Sequence, residues 1–156
     1  MTWQWWLLLH LAGVLAFVGA HGVSMFVLFR IRRERDRRRI AELIAFSGTT
    51  TRPMYIALLV LTVGGVGAGL TLHLFSQWWL WISIGILLVT IGLMSGLAKP
   101  YFRRITAACE IRPSGVPRVS DEELEQLLRS GEMTLISAIG VVGLLAILYL
   151  MLFKPF

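Results

Sequence analysis

Four apolar runs dominate this chain: Trp6 to Phe29, Met54 to Phe75, Trp79 to Ala98 and Met133 to Phe153. None contains an Asp, Glu, Lys or Arg. Each has about 20 residues or more, which at ~1.5 Å per residue reaches across a ~30 Å hydrocarbon layer. In hydrocarbon a single segment satisfies its own backbone polar groups only as a helix. The pattern therefore predicts an all-α protein: a four-helix transmembrane bundle with spans over about residues 5–29, 54–75, 79–98 and 133–153. Composition agrees, with 56% hydrophobic and only 15% charged residues, where a soluble domain has about a quarter charged. The chain reads as one integral membrane domain over residues 1–156.

The charges choose an orientation. Fourteen of the fifteen Lys and Arg residues fall in two connections, Arg30 to Arg52 and Lys99 to Arg129, leaving only Lys154 outside. All six tryptophans lie at the opposite ends of the runs: Trp3, Trp5 and Trp6, then Trp78, Trp79 and Trp81. Basic loops stay cytoplasmic during insertion, and indole rings favour the headgroup layer. Both markers predict a multi-pass protein of the inner (plasma) membrane, N-out and C-out, with cytoplasmic loops 30–53 and 99–132. A net charge of +6 would invite a nucleic-acid reading in a soluble chain. Here positive-inside topology accounts for it, and no nucleic-acid partner is expected. The leader MTWQWW lacks the basic start of a signal peptide, so the first run reads as a span. The single Cys109 cannot form an intrachain disulfide.

The connections carry helix signals of their own. Ile40, Leu43 and Ile44 recur at helical spacing, with Ser47-Gly48 as a break. Thr51 is placed to cap the second span, with Pro53 in its first turn. Lys99-Pro100 is expected to end the third span. Ser120 and Glu123 form a capping-box pattern before Leu124, Leu127 and Leu128, and Gly131 precedes the fourth span. Short amphipathic helices are thus expected in both cytoplasmic loops. For interhelical packing the sequence offers a ridge of Ala12, Ala16, Ala20 and Ser24, and the pairs Gly65/Gly69 and Gly92/Gly96. Small residues allow the close backbone approach that membrane helices need, within the bundle or in a homodimer. Aligning Trp5-Trp6 with Trp78-Trp79 superposes Gly19 on Gly92 and His21 on Met94. Each half is then an inward helix, a basic loop and an outward helix.

Apart from Tyr55 and Tyr149, the only ionisable side chains within the spans are His10, His21 and His73, and such residues are costly and point to function. His10 and His73 fall near the outer ends of neighbouring antiparallel spans, so they can be read as opposed axial ligands of a haem b. His21, with Met25 one turn further and Met94 on the third span, can ligate a metal such as copper. In the basic run, Arg30, Arg32 and Arg33 can bind anionic lipid headgroups or the carboxylates of a tetrapyrrole. Arg52 and Lys99 stand at the inner mouths of their spans and can anchor there or hold a carboxylate. No nucleophile–base pair, phosphate loop or acid pair is visible.

The stretch WWLLLHLAGVLAFVGAHGVSMFVLFRIRRERD resembles the first helix and loop of small bacterial membrane proteins of the CopD-like group. Leu9-His10, the Gly/Ala-rich middle, His21-Gly22 and the basic exit carry that resemblance. The helix count and the Trp-to-His entry are also similar to HemJ-like protoporphyrinogen oxidases. The resemblance spans mainly residues 3–50 and implies His10 as a haem or metal ligand. The third and fourth spans hold no histidine. Three functions follow as expectations. The first is a membrane protein binding haem b, or another metal centre, for electron transfer with a quinone or membrane redox partner. The second is a non-catalytic scaffold or accessory subunit whose basic loops touch lipid. The third is copper handling through His21, Met25 and Met94.

Overall fold

A computed structural model describes residues 2–155. In chain order the helices are α1 (Thr2–Ile31), α2 (Arg37–Thr49), α3 (Thr51–Thr71), α4 (Trp78–Cys109), α5 (Asp121–Leu128) and α6 (Gly131–Phe153). A 3₁₀ turn, Leu74–Ser76, joins α3 to α4. The stretches Trp3–Ile31, Arg37–Thr71, Trp78–Cys109 and Asp121–Phe153 each contain a helix long and apolar enough to cross a membrane. Over the described residues the protein is an all-helical four-helix bundle whose helices α1, α3, α4 and α6 are long and apolar enough to cross a membrane.

The bundle consists of two antiparallel pairs, α1 with α3 and α4 with α6. Glycines set the closest approaches. A Cβ on Gly64 would lie 2.4 Å from the backbone nitrogen of His10, and one on Gly13 would lie 2.5 Å from that of Leu61. In the second pair, a Cβ on Gly143 would reach Thr90 Oγ1. Without a hydrophobic drive between helices in lipid, such backbone proximity supplies the dispersion contact that holds each pair. The ridge expected to do this work does so only at Ser24, its inner end. Ala12 and Ala16 are exposed, and Gly92 and Gly96 have no heavy atom within 4 Å of an added Cβ. The packing face of α1 lies one residue round the helix, through Gly13.

The best-buried core lies at the end of the bundle that carries the two long connections. Ile31, Ile40, Tyr101, Ile105, Leu124, Leu128, Met133 and Ile136 are all almost fully buried there. Every helix except α3 contributes to this cap. A second, smaller cluster of Trp79, Leu80 and Leu150 closes the other end, with Phe75 packed on it.

Three departures from the sequence expectation lie at this end of the bundle. Helix α4 continues through Pro100 for another nine residues to Cys109. Proline inside a helix removes one hydrogen bond and costs about 3 kcal/mol, but the extension buries Tyr101, Ile105, Ala108 and Cys109. Burying one large apolar side chain contributes about 1.5–3 kcal/mol, so the continuation wins. Helix α2 runs through Ser47-Gly48 to Thr49 instead of breaking there. Ser47 Oγ donates to Ser24 Oγ at 3.1 Å, and Thr50 Oγ1 lies 3.3 Å from Ser24 Oγ, tying α2 to α1. Thr51 is the first residue of α3 rather than its cap, and the boundary residue Thr50 makes no side-chain cap bond to α3. The capping box of Ser120 and Glu123 forms at the start of α5.

Candidate functional site

His10 projects from α1 onto α3. Its Nδ1 lies 2.7 Å from the carbonyl oxygen of Leu61. A carbonyl only accepts, so Nδ1 is the donor and carries the proton. Gly65 makes this reach possible, because a Cβ there would sit 3.0 Å from that same nitrogen. The histidine is a part-buried interhelical clasp between α1 and α3. His10→Ala is therefore expected to cost about 1 kcal/mol of α1–α3 pairing, read as a lower unfolding midpoint in detergent. An unchanged midpoint would remove the clasp.

His73 is not level with it. It follows the end of α3, in left-handed backbone geometry (φ 53°), and is exposed. His10 packs against Gly64 and Gly65, eight residues earlier than His73, on the order of 10 Å along the axis. The structure places His10 against α3 and His73 in the turn beyond the end of α3. The clasp leaves only Nε2 of His10 as an acceptor.

His21 stacks on Phe17, with ring centroids 5.8 Å apart, and reaches from α1 to α6. A Cβ on Gly140 would lie 3.1 Å from its Nε2 and 3.8 Å from the terminal methyl of Met94. The structure thus brings His21 and Met94 to the same glycine. Met25 is half-buried one turn further along and is not among the atoms nearest that glycine. No group of three or more His, Cys, Asp or Glu side chains converges among the described residues.

A concave feature lies at the cap end. It is an open cleft of about 600 Å³ lined by Phe26, Phe29, Arg30, Arg32, Arg33 and Arg129. Three of these arginines follow one another at the end of α1, and the fourth closes α5. Arg30 lies 3.5 Å from Glu34, and Arg129 lies 2.8 Å from Glu125. Among the described residues, Arg32 and Arg33 form no ion pair. The backbone N–H groups of Arg35 and Asp36, helped by the Arg30 and Arg39 charges, hold the Glu34 carboxyl below its ordinary value. It is ionised at neutral pH. Four guanidinium groups against two carboxylates leave the cleft with a net charge of +2 (4 − 2). Phe26 and Phe29 are 67% and 50% exposed, so an apolar wall continues from the arginines along the membrane-spanning part of α1. Volume and lining suit a ligand with an anionic head and an apolar tail.

No family model, curated protein or solved structure matches this chain. Its chemistry therefore rests on its own residues. Of the expected anion contacts, Arg30, Arg32 and Arg33 line the cleft, while Arg52 and Lys99 are exposed and do not. Arg129, Phe26 and Phe29 complete it. Phe29, immediately before Arg30, and Phe26, about one helical turn earlier, were the available signal in the sequence. Arg129 had none, because its approach depends on how the second connection folds. A further arginine, Arg37, turns inward. Its Nη1 donates to Ala108 O at 2.8 Å, its Nη2 to Val119 O at 2.9 Å, and both Nε and Nη2 reach Asp121. It joins α2 to the end of α4 and the start of α5.

Proposed function

We propose that this chain is an inner-membrane scaffold or accessory protein, N-out and C-out, whose cytoplasmic cap binds an anionic phospholipid headgroup. The supporting observation is the cleft of Arg30, Arg32, Arg33 and Arg129 above Phe26 and Phe29. Basic loops mark the cytoplasmic side, and the amphipathic helices α2 and α5 fold against the bundle at that level. The arginines then sit at headgroup depth in the inner leaflet. A lipid phosphate takes charge-assisted hydrogen bonds from guanidinium groups, and an acyl chain runs down the phenylalanine wall. Each basic residue near such a surface contributes about 1 kcal/mol. Arg32→Gln/Arg33→Gln is therefore expected to weaken anionic-lipid binding roughly thirtyfold, read by native mass spectrometry of protein extracted with its lipids. Equal retention of anionic lipid by the double variant would refute the reading.

One observation favours a second reading, copper handling: His21 and Met94 meet at Gly140. Imidazole and thioether together suit Cu(I). Copper bound stoichiometrically, and lost in both His21→Ala and Met94→Leu, supports it. Retention in either variant removes it. A visible spectrum of the purified protein tests haem binding, and a Soret band lost in His10→Ala but kept in His73→Ala would assign the axial imidazole to His10.

A further inference from the structure

We infer that the bound phospholipid is a clasp between the two helix pairs, so that closure of the bundle at the cytoplasmic side depends on anionic lipid. The inference rests on the cleft being a lipid site and adds what the lipid does there. Arg30, Arg32 and Arg33 belong to the α1–α3 pair, whereas Arg129 belongs to the chain segment leading into α6. The cleft is therefore built across the join. Within the spans the pairs meet where His21 of α1 reaches Gly140 of α6 beside Met94 of α4, and contacts between the pairs are far fewer than those within each pair. The joining elements are α2, which packs on α1, α3 and α4, and the cap core around Ile31 and Ile40. Without a ligand, guanidinium groups from the two pairs face one another across an open cleft and repel. An anionic headgroup between them converts that repulsion to attraction from both sides. The net cleft charge of +2 matches a headgroup carrying one or two phosphates. The occupant is a phospholipid rather than free phosphate because the wall below the arginines is apolar and exposed, with Phe26 and Phe29 turned outward.

The test measures spacing between the pairs. Cysteines introduced at Leu59 on α3 and Val142 on α6, both 64% exposed, carry spin labels in a Cys109→Ser background. Distances are recorded in nanodiscs of zwitterionic phospholipid, with and without anionic phospholipid, while native mass spectrometry follows binding. Anionic lipid is expected to narrow and shorten the distance distribution. Arg129→Gln abolishes that change and weakens binding only about fivefold, because Arg30, Arg32 and Arg33 still hold the lipid. Arg129→Lys retains the change, which separates lost charge from misfolding. Narrowing that persists in Arg129→Gln overturns the clasp but leaves lipid binding intact. An equal effect of inorganic phosphate on protein in zwitterionic nanodiscs overturns the choice of a lipid. Absence of any bound anionic lipid in the unmodified protein overturns both this inference and the reading of the cleft.

Discussion

Gly64→Leu is expected to separate α3 from α1 and cost about 3 kcal/mol or more. The added Cβ alone would lie 2.4 Å from the backbone nitrogen of His10 and 2.8 Å from its Cα. Backbone cannot rotate away as a side-chain tip can, so the helices must part along their whole shared face. The same movement breaks the His10 to Leu61 hydrogen bond and draws Gly13 off Leu61. Gly92→Ala is the matched control. Gly92 is exposed with open space around it, and alanine is favoured over glycine in a helix by about 1 kcal/mol. Unfolding in mixed detergent should show a large drop for the first and none for the second. Similar behaviour of the two would mean that α1 and α3 are not in backbone contact.

Arg37→Ala carries the next largest effect, a loss of about 3 kcal/mol concentrated in the cap. Only 12% of its side chain is exposed, and its guanidinium serves two carbonyls and a carboxylate at once. Ala108 lies in the last turn of α4, where carbonyls lack helical partners and a cation complements the helix dipole. Removing Arg37 leaves those carbonyls unpaired next to a buried core. Lysine is a poor replacement, since one ammonium cannot span the three acceptors. Asp121→Asn should cost under about 1 kcal/mol, because the Asp121 side chain is 88% exposed. Hydrogen exchange of α2 and α5 reads the difference directly. If Arg37→Ala and Asp121→Asn protect these helices equally, Arg37 does not anchor the cap.

What the sequence revealed, and what it hid, divides along a physical line. Hydrophobic run length depends only on neighbours in the chain, so the four long helices were legible in it. So was the Ser120–Glu123 capping box, a local exchange of hydrogen bonds. Interhelical faces were legible only in part: Gly65 of the expected Gly65/Gly69 pair does pack against His10. Ala12, Ala16 and Gly92 have the right size for packing, yet Gly13, Gly64 and Gly143 make the contacts, because the crossing geometry selects among equally small residues. Pro100 was a misleading stop, since its local cost is outweighed by tertiary burial of Tyr101 and Ile105. The histidines were conspicuous as the ionisable groups in apolar runs, but their partners lie on other helices: Leu61 for His10 and Gly140 for His21. Seven arginines between Arg30 and Arg39 looked alike in the sequence. Folding sends Arg37 inward as a structural tie and gathers Arg30, Arg32 and Arg33 into the cleft with Arg129.

The most direct test of the lipid site is photo-cross-linking with an anionic phospholipid that carries its reactive group on the headgroup, followed by peptide mapping. Adducts should concentrate on residues 26–33 and at Arg129, and disappear when unlabelled anionic lipid competes. Adducts concentrated instead around Arg112 and Arg118, or spread evenly over both connections, would contradict a lipid site in this cleft.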